Sequence, residues 1–265
     1  MANRVAAKPP KKKPARVPAP DSATVLYLYA ITEAKVDRRP LRSTGIDGAA
    51  PVEAHECAGL VSWVSRVNRA DFSEALQQKM QDLEWLADAS VRHQRAVAEV
   101  AGRGDVLPAR FGTIFNSMES LQQHLRARAP IIRKTLQRIR GAEEWGIKVF
   151  AEPAAGPSQM MTATSGSDYL RKKSEVLKSR AQRALPAAVR GLARELEKLA
   201  VQTAPVGKVS GGQRDLVWQT AVLLRRSQAP NLQRLLKVYA QKLGQDFRIE
   251  ATGPWPPYSF ASHAD

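Results

Sequence analysis

The residues able to do chemistry in this sequence are few and scattered. Four histidines, His55, His93, His124 and His263, stand far apart, without the Cys/His/carboxylate spacing of a metal site. His93 falls within an apolar helical stripe and reads as a core histidine with a hydrogen-bond partner. The one cysteine, Cys57, lies on a predicted strand beside Glu56. It has no positive neighbour to lower its thiol pKa, so it reads as a small core residue. No Ser/His/Asp arrangement and no glycine-rich phosphate loop can be argued. "GRGD" (102–105) reads as a turn. Arg110 and Lys148 each lie in an otherwise apolar predicted strand, and a buried cation needs a carboxylate. Glu143 and Glu144 are their candidate partners, which makes a structural ion pair the expectation. These residues supply no catalytic, cofactor or metal site, so a non-enzymatic protein is expected.

The elements that would position these residues come in two groups. "TVLYLYAI" (24–31) is β-branched and aromatic and predicts a buried strand. "VEAHEC" (52–57) and "LVSWVSRV" (60–67) are close enough for a hairpin. From Phe72 the period becomes helical. Leu76, Met80, Leu83, Ala87 and Val91 form one stripe, and Leu86, Ala89, His93, Ala96 and Val100 a second, which predicts a helix buried on a wide face. "VLPARFGTIF" (106–115) predicts the next strand. Ser117 then caps a helix whose stripe is Leu121, Leu125, Ala129, Ile132, Leu136 and Ile139. Arg126, Arg133, Lys134 and Arg138 form its basic face, and Pro130 should kink or split it. "EWGIKVFAE" (144–152) closes this half in the order β-ββ-α-β-α-β. That order is close to a ferredoxin-like domain with its first helix replaced by a loop.

Residues 153–167 are small, Pro/Gly-containing and aperiodic, and read as a linker. A second α+β part spans 168–260. It starts with a long helix over 168–202 with a near-heptad seam, bent at Pro186. "LVWQTAVLLR" (216–225) predicts a central strand, Pro230 and Asn231 open a helix, and "DFRIEAT" (246–252) alternates as a strand with Phe247, Ile249 and Ala251 inward. The fold class is therefore α+β, in two domains, 23–152 and 168–260.

Charge and composition bound the function. The formal net charge is +16, so an anionic partner or surface has to be considered. Residues 1–20 carry Arg4, Lys8, Lys11, Lys12, Lys13 and Arg16 amid Pro and Ala, and 1–22 reads as a disordered basic tail. The remainder still carries +10. No apolar run approaches the roughly 20 residues of a membrane span, and the basic N-terminus lacks the apolar core of a signal peptide. A soluble, intracellular protein is expected. A nucleic-acid-binding protein is the alternative function, but it rests on charge alone. The basic helix face has no interleaved aromatics, and "RFGTIF" lacks the flanks of an RNA-recognition motif.

Six stretches carry a resemblance: "LYLYAIT" (26–32), "DLEWLADASVRHQRAV" (82–97), "VLPARFGTIF" (106–115), "EEWGIKVF" (143–150), "SGSDYLRKK" (165–173) and "TGPWPPYSF" (252–260). In that order the chain resembles the gas vesicle protein F/L family over about residues 24–260. The resemblance implies a non-enzymatic accessory protein of gas vesicle assembly, located in the cytoplasm and at the gas vesicle. Its implied partners are the small hydrophobic shell protein and other accessory proteins. The implied fold has a ferredoxin-like N-terminal half.

"TGPWPPYSF" also poses a physical question, because chain ends are usually loose and polar. Its prolines hold Trp255, Tyr258 and Phe260 as rigidly spaced anchors. Two roles are open: a plug that closes the protein's own core, or part of a partner surface. The plug is the preferred expectation, because the stretch continues directly from a core strand.

Overall fold

The computed structural model describes residues 23–152, 185–206 and 215–261. The basic tail, the linker 153–167, the first part of the expected long helix and His263 lie outside the described residues. The chain folds as an α+β protein with two antiparallel sheets.

In the first sheet the strands are β1 (Thr24–Glu33), β2 (Glu53–Cys57), β3 (Leu60–Asn68), β4 (Val106–Pro108) and β5 (Ile114–Phe115). The order is β2-β3-β1-β4, with β5 also paired to β1. The near-continuous apolar run of β1 follows from its central place: both of its faces are covered. Val25, Tyr27 and Tyr29 pack with α2 (Leu83–Ala101), which follows the single-turn α1 (Leu76–Lys79), while Leu26 and Leu28 pack with α3 (Met118–Ile139). A bulge between Leu28 and Ala30 breaks the alternation, so the consecutive residues Tyr29 and Ala30 serve the same cluster as Val25 and Tyr27, and Ile31 returns to the other.

The second sheet contains β6 (Ala142–Ala151), β7 (Gln202–Ala204), β8 (Leu216–Arg225) and β9 (Phe247–Trp255), in the order β7-β8-β6-β9. The strand expected to close the ferredoxin-like half is thus a central strand of the other sheet. A local apolar pattern does not say which sheet a strand joins; here β6 has nine register pairs with β8 and seven with β9. One face of this sheet carries α4 (Ala187–Leu199) and α5 (Ala229–Leu243), through Val189, Leu192, Leu196, Leu232 and Tyr239. Within the described residues, Pro186 caps α4 rather than bending a longer helix. From the other face Ala221 and Leu223 join the cluster built on α3.

The stripe of α3, from Leu121 to Ile139, is fully buried and shared by both sheets. Its start is fixed by reciprocal bonds between Ser117 and Ser120. Pro130 neither ends nor splits the helix; it lies on the exposed side. Packing of the opposite face offsets the lost backbone bond. Ser117→Ala should cost about 1 kcal/mol, read as a lower urea midpoint, with Ser117→Gly costing only a few tenths. Equal stability of wild type and Ser117→Ala would show that the cap does not matter.

The candidate partner-binding cleft

Four of the resembling stretches, 26–32, 82–97, 106–115 and 252–260, meet around the inner face of α2. Asp82 begins this helix by accepting from the N–H groups of Glu84 and Trp85. Ala89, His93, Ala96, Val97 and Val100 are then buried against the first sheet. His93 lies among Tyr27, Tyr29, Phe111 and Tyr258, with ring centroids 5.7–6.1 Å away. Gly112 N–H donates to Tyr27 Oη, which leaves the phenol hydrogen for His93 Nδ1 at 3.0 Å. Burial pushes the His93 pKa down to about 4, with a smaller opposite pull from the Ala109 backbone. Nε2 makes no hydrogen bond of good geometry among the described residues. Burial also raises Tyr29 to about 12, although Ser65 and the Ile46 N–H bond its hydroxyl. All these groups are neutral at pH 7, and they form a rigid polar-aromatic core rather than an acid–base pair.

The outer face of α2 differs from the expectation. Leu83 is 80% and Val91 44% exposed, and Ala87 and Ala98 are exposed as well. Of the first sequence stripe Met80, Leu83, Ala87 and Val91 are therefore uncovered, while Leu76 packs on the core, and the burial is narrower than the pattern predicted. Sequence periodicity shows a face but not whether another element covers it.

This uncovered stripe runs towards the end of β9. The strand does not stop before Pro254; it continues to Trp255, with a cis Gly253–Pro254 bond. Gly253 has φ +140°, and a Cβ there would lie 2.8 Å from Glu144 O and 3.2 Å from the Trp145 ring. Only glycine allows this close step. Beyond it the three aromatics divide. Trp255 is 49% exposed, Tyr258 is half-buried beside His93, and Phe260 is buried in the α3 cluster. Two contacts fix the stretch. Glu144 accepts from Ser259 N at 2.8 Å and from Ser259 Oγ at 2.6 Å, and Arg138 Nη2 donates to Phe260 O at 2.7 Å. One segment thus ends in a buried anchor at Phe260 and leaves Trp255 exposed.

Between α2 and this segment lies a cleft of about 450 Å³. Val91, Gln94, Arg95 and Ala98 form one wall, and Glu144, Trp255, Pro256 and Tyr258 the other. A smaller cleft of about 200 Å³ adjoins it beyond Trp255 and reaches Glu143 and Arg226. Burial raises the Glu144 carboxyl pKa against the lowering effect of the Ser259 bonds.

Other predicted residues have different duties. Glu143 accepts from Trp145 Nε1 at 3.0 Å, so neither carboxylate serves the expected ion pair. Arg110 is exposed on the turn after β4, in the first sheet, and Lys148 lies opposite Gln219 and Glu250 in the second. The mistake follows from placing β4 and β6 in one sheet. On the basic face of α3, Arg126 and Lys134 are exposed, while Arg133 and Arg138 donate to the carbonyls of Ala58 and Phe260. Cys57 is buried with Sγ 3.7 Å from Gln122 O. His124 packs on Phe115, and His55 lies 3.5 Å from Glu53. Arg103 of "GRGD" sits over the Trp63 ring and reaches the loop carbonyls of Asp37, Arg39 and Pro40. Among the described residues no group of three His, Cys, Asp or Glu is placed to hold a metal, and no helix is long and apolar enough to cross a membrane.

The comparisons with known proteins agree with this architecture. Residues 25–262 match the family model described as gas vesicle synthesis protein GvpL/GvpF. Gas vesicle protein L of Streptomyces sp. (strain CB03234) is 32% identical over 263 residues, covering 90% of this chain and 93% of that protein. Gas vesicle protein L of Haloferax mediterranei is 28% identical, covering 83% and 73%. The crystal structure of GvpF from Anabaena sp. PCC7120 shares the fold with a TM-score of 0.65 at 18% identity, covering 90% of this chain and 98% of that one. GvpF from Microcystis aeruginosa gives 0.61 at 19%, covering 89% and 98%. The chain belongs to the GvpL/GvpF family of gas vesicle synthesis proteins, and its role lies in gas vesicle formation.

Proposed function

We propose that this chain is a non-enzymatic accessory protein of gas vesicle assembly, which binds the hydrophobic shell protein and other assembly proteins in the cytoplasm and at the growing vesicle. The observation that supports this reading is the uncovered apolar track from Leu83 through Val91 to Trp255, on a protein otherwise rich in charge. Large exposed apolar surface in a water-soluble fold marks an interaction site. A shell protein bordering a gas space exposes apolar surface before it assembles, and covering that surface prevents aggregation. The protein's positive charge would speed encounter with an acidic rim on such a partner.

Nucleic acid is the weaker reading. Two of the four residues of the expected basic face of α3, Arg133 and Arg138, are committed to backbone carbonyls of the protein itself. Affinity-tagged chain, expressed with the shell protein and treated with nuclease, should retain the shell protein through washes of moderate salt. Recovery of nucleic acid through high salt, with no shell protein, would overturn the assembly reading.

A further inference from the structure

Arg95 gives the cleft a chemical preference. It is exposed on α2, and among the described residues its guanidinium makes no ion pair or hydrogen bond. Across the cleft, both oxygens of Glu144 are already engaged by Ser259. The cleft therefore offers an apolar floor, one satisfied carboxylate and one unpaired cation. Its volume of about 450 Å³ falls within the roughly 300–1,000 Å³ of pockets that enclose ligand groups. Trp255, half exposed and held at the end of a strand, is the kind of rigid aromatic that dominates binding energy at interfaces.

The track also has polarity. Leu83 and Ala98 are about 22 Å apart along α2. Glu84 and Asp88 flank the Leu83 end, about 10–16 Å from Arg95 along the axis, and Asp88 lies 4.0 Å from Arg92. With Asp88 facing Arg92 and Glu144 engaged by Ser259, Glu84 leaves the Leu83 end acidic and Arg95 leaves the cleft basic.

We propose that the cleft receives an apolar side chain of the shell protein, and that a carboxylate on the same segment pairs with Arg95. The inference rests on the assembly reading above and adds the seat, the orientation and the chemistry of the contact. An apolar anchor gives affinity, and the flanking charge fixes register. A segment with its acid at the opposite end would bring like charges together at Glu84 and Asp88.

The test uses the full chain and shell protein kept soluble by fusion to a carrier. Binding is compared for wild type, Trp255→Ala, Arg95→Glu, Arg95→Lys and a control on α3, Arg126→Glu. Trp255→Ala should weaken binding about 30-fold, and Arg95→Glu about 10-fold or more. Arg95→Lys should stay near wild type, since a single charge suffices, and Arg126→Glu should change nothing. If wild type binds and both cleft variants stay within about twofold of it, the cleft inference fails while the assembly reading stands. Absence of binding by wild type overturns both. Loss of self-association in Trp255→Ala, with shell-protein binding intact, would make a second copy the occupant and overturn the proposal. Loss of binding to a polyanion in Arg95→Glu, with Trp255→Ala neutral, would do the same in favour of nucleic acid.

Discussion

Phe260→Ala is expected to lower the unfolding free energy by about 3–5 kcal/mol, the range for truncating a buried aromatic, while Trp255→Ala lowers it by less than about 1 kcal/mol. The two aromatics are five residues apart and differ by burial: Phe260 is 2% exposed and Trp255 is 49% exposed. Phe260 fills the cluster in which α3, Ala142, Ala221 and Leu223 meet, so its loss opens a cavity between the two sheets. The surroundings cannot easily collapse into it, because Arg138 holds the Phe260 carbonyl and Glu144 holds Ser259. Urea unfolding of both variants checks the contrast. A loss below about 1 kcal/mol for Phe260→Ala would mean that the C-terminal stretch is not docked. A large loss for Trp255→Ala would return Trp255 to the core and remove it from the partner surface.

The sequence made some of this legible and some not, for physical reasons. β1 could be read as a buried strand because its run is β-branched and aromatic, and the structure covers both of its faces. The start of α3 was legible because Ser117 is a local signal that needs no tertiary information. The central place of β8 followed from its two-sided apolar pattern. Pairing partners are non-local, and there the reading failed: β6 carries the same pattern whichever sheet it joins. The expected contacts of Arg110 and Lys148 with Glu143 and Glu144 failed with it. The split allowed for at Pro130 does not occur, because a lone proline penalty of about 3 kcal/mol is outweighed by a stripe packed from two sides. At the candidate site the residues were visible and their exposure was not. Trp255, Tyr258 and Phe260 were found by their composition, and only the turn at Tyr258–Phe260 decides that one points out and another in. Arg95 had no signal at all; it is one cation among 41 Lys and Arg, set apart by what stands opposite it.

Acid should destabilise the protein through His93, by about 3 kcal/mol between pH 6.5 and pH 4. Burial among Tyr27, Tyr29, Phe111 and Tyr258 lowers its pKa from 6.5 to about 4, and Tyr27 donates to Nδ1 of the neutral ring. In the unfolded chain the same imidazole titrates near its ordinary value. Between the two values the unfolded state therefore binds more protons, and stability rises with pH. The contribution is intact above pH 6.5, declines as pH falls and is fully lost below about 4. Glu144 works in the opposite sense, because its carboxyl pKa is raised and folding favours its protonated form. A difference between two proteins isolates the histidine. His93→Asn keeps an acceptor near the position of Nδ1 but does not titrate. Its packing defect lowers stability at every pH, and the slope is what reports the proton. Wild type should lose stability steeply between pH 6.5 and 4 while His93→Asn follows a flatter curve, so the two converge in acid. Parallel curves across that window would show that His93 is not held neutral, and the polar-aromatic core described around α2 would then have to admit water or a counter-charge.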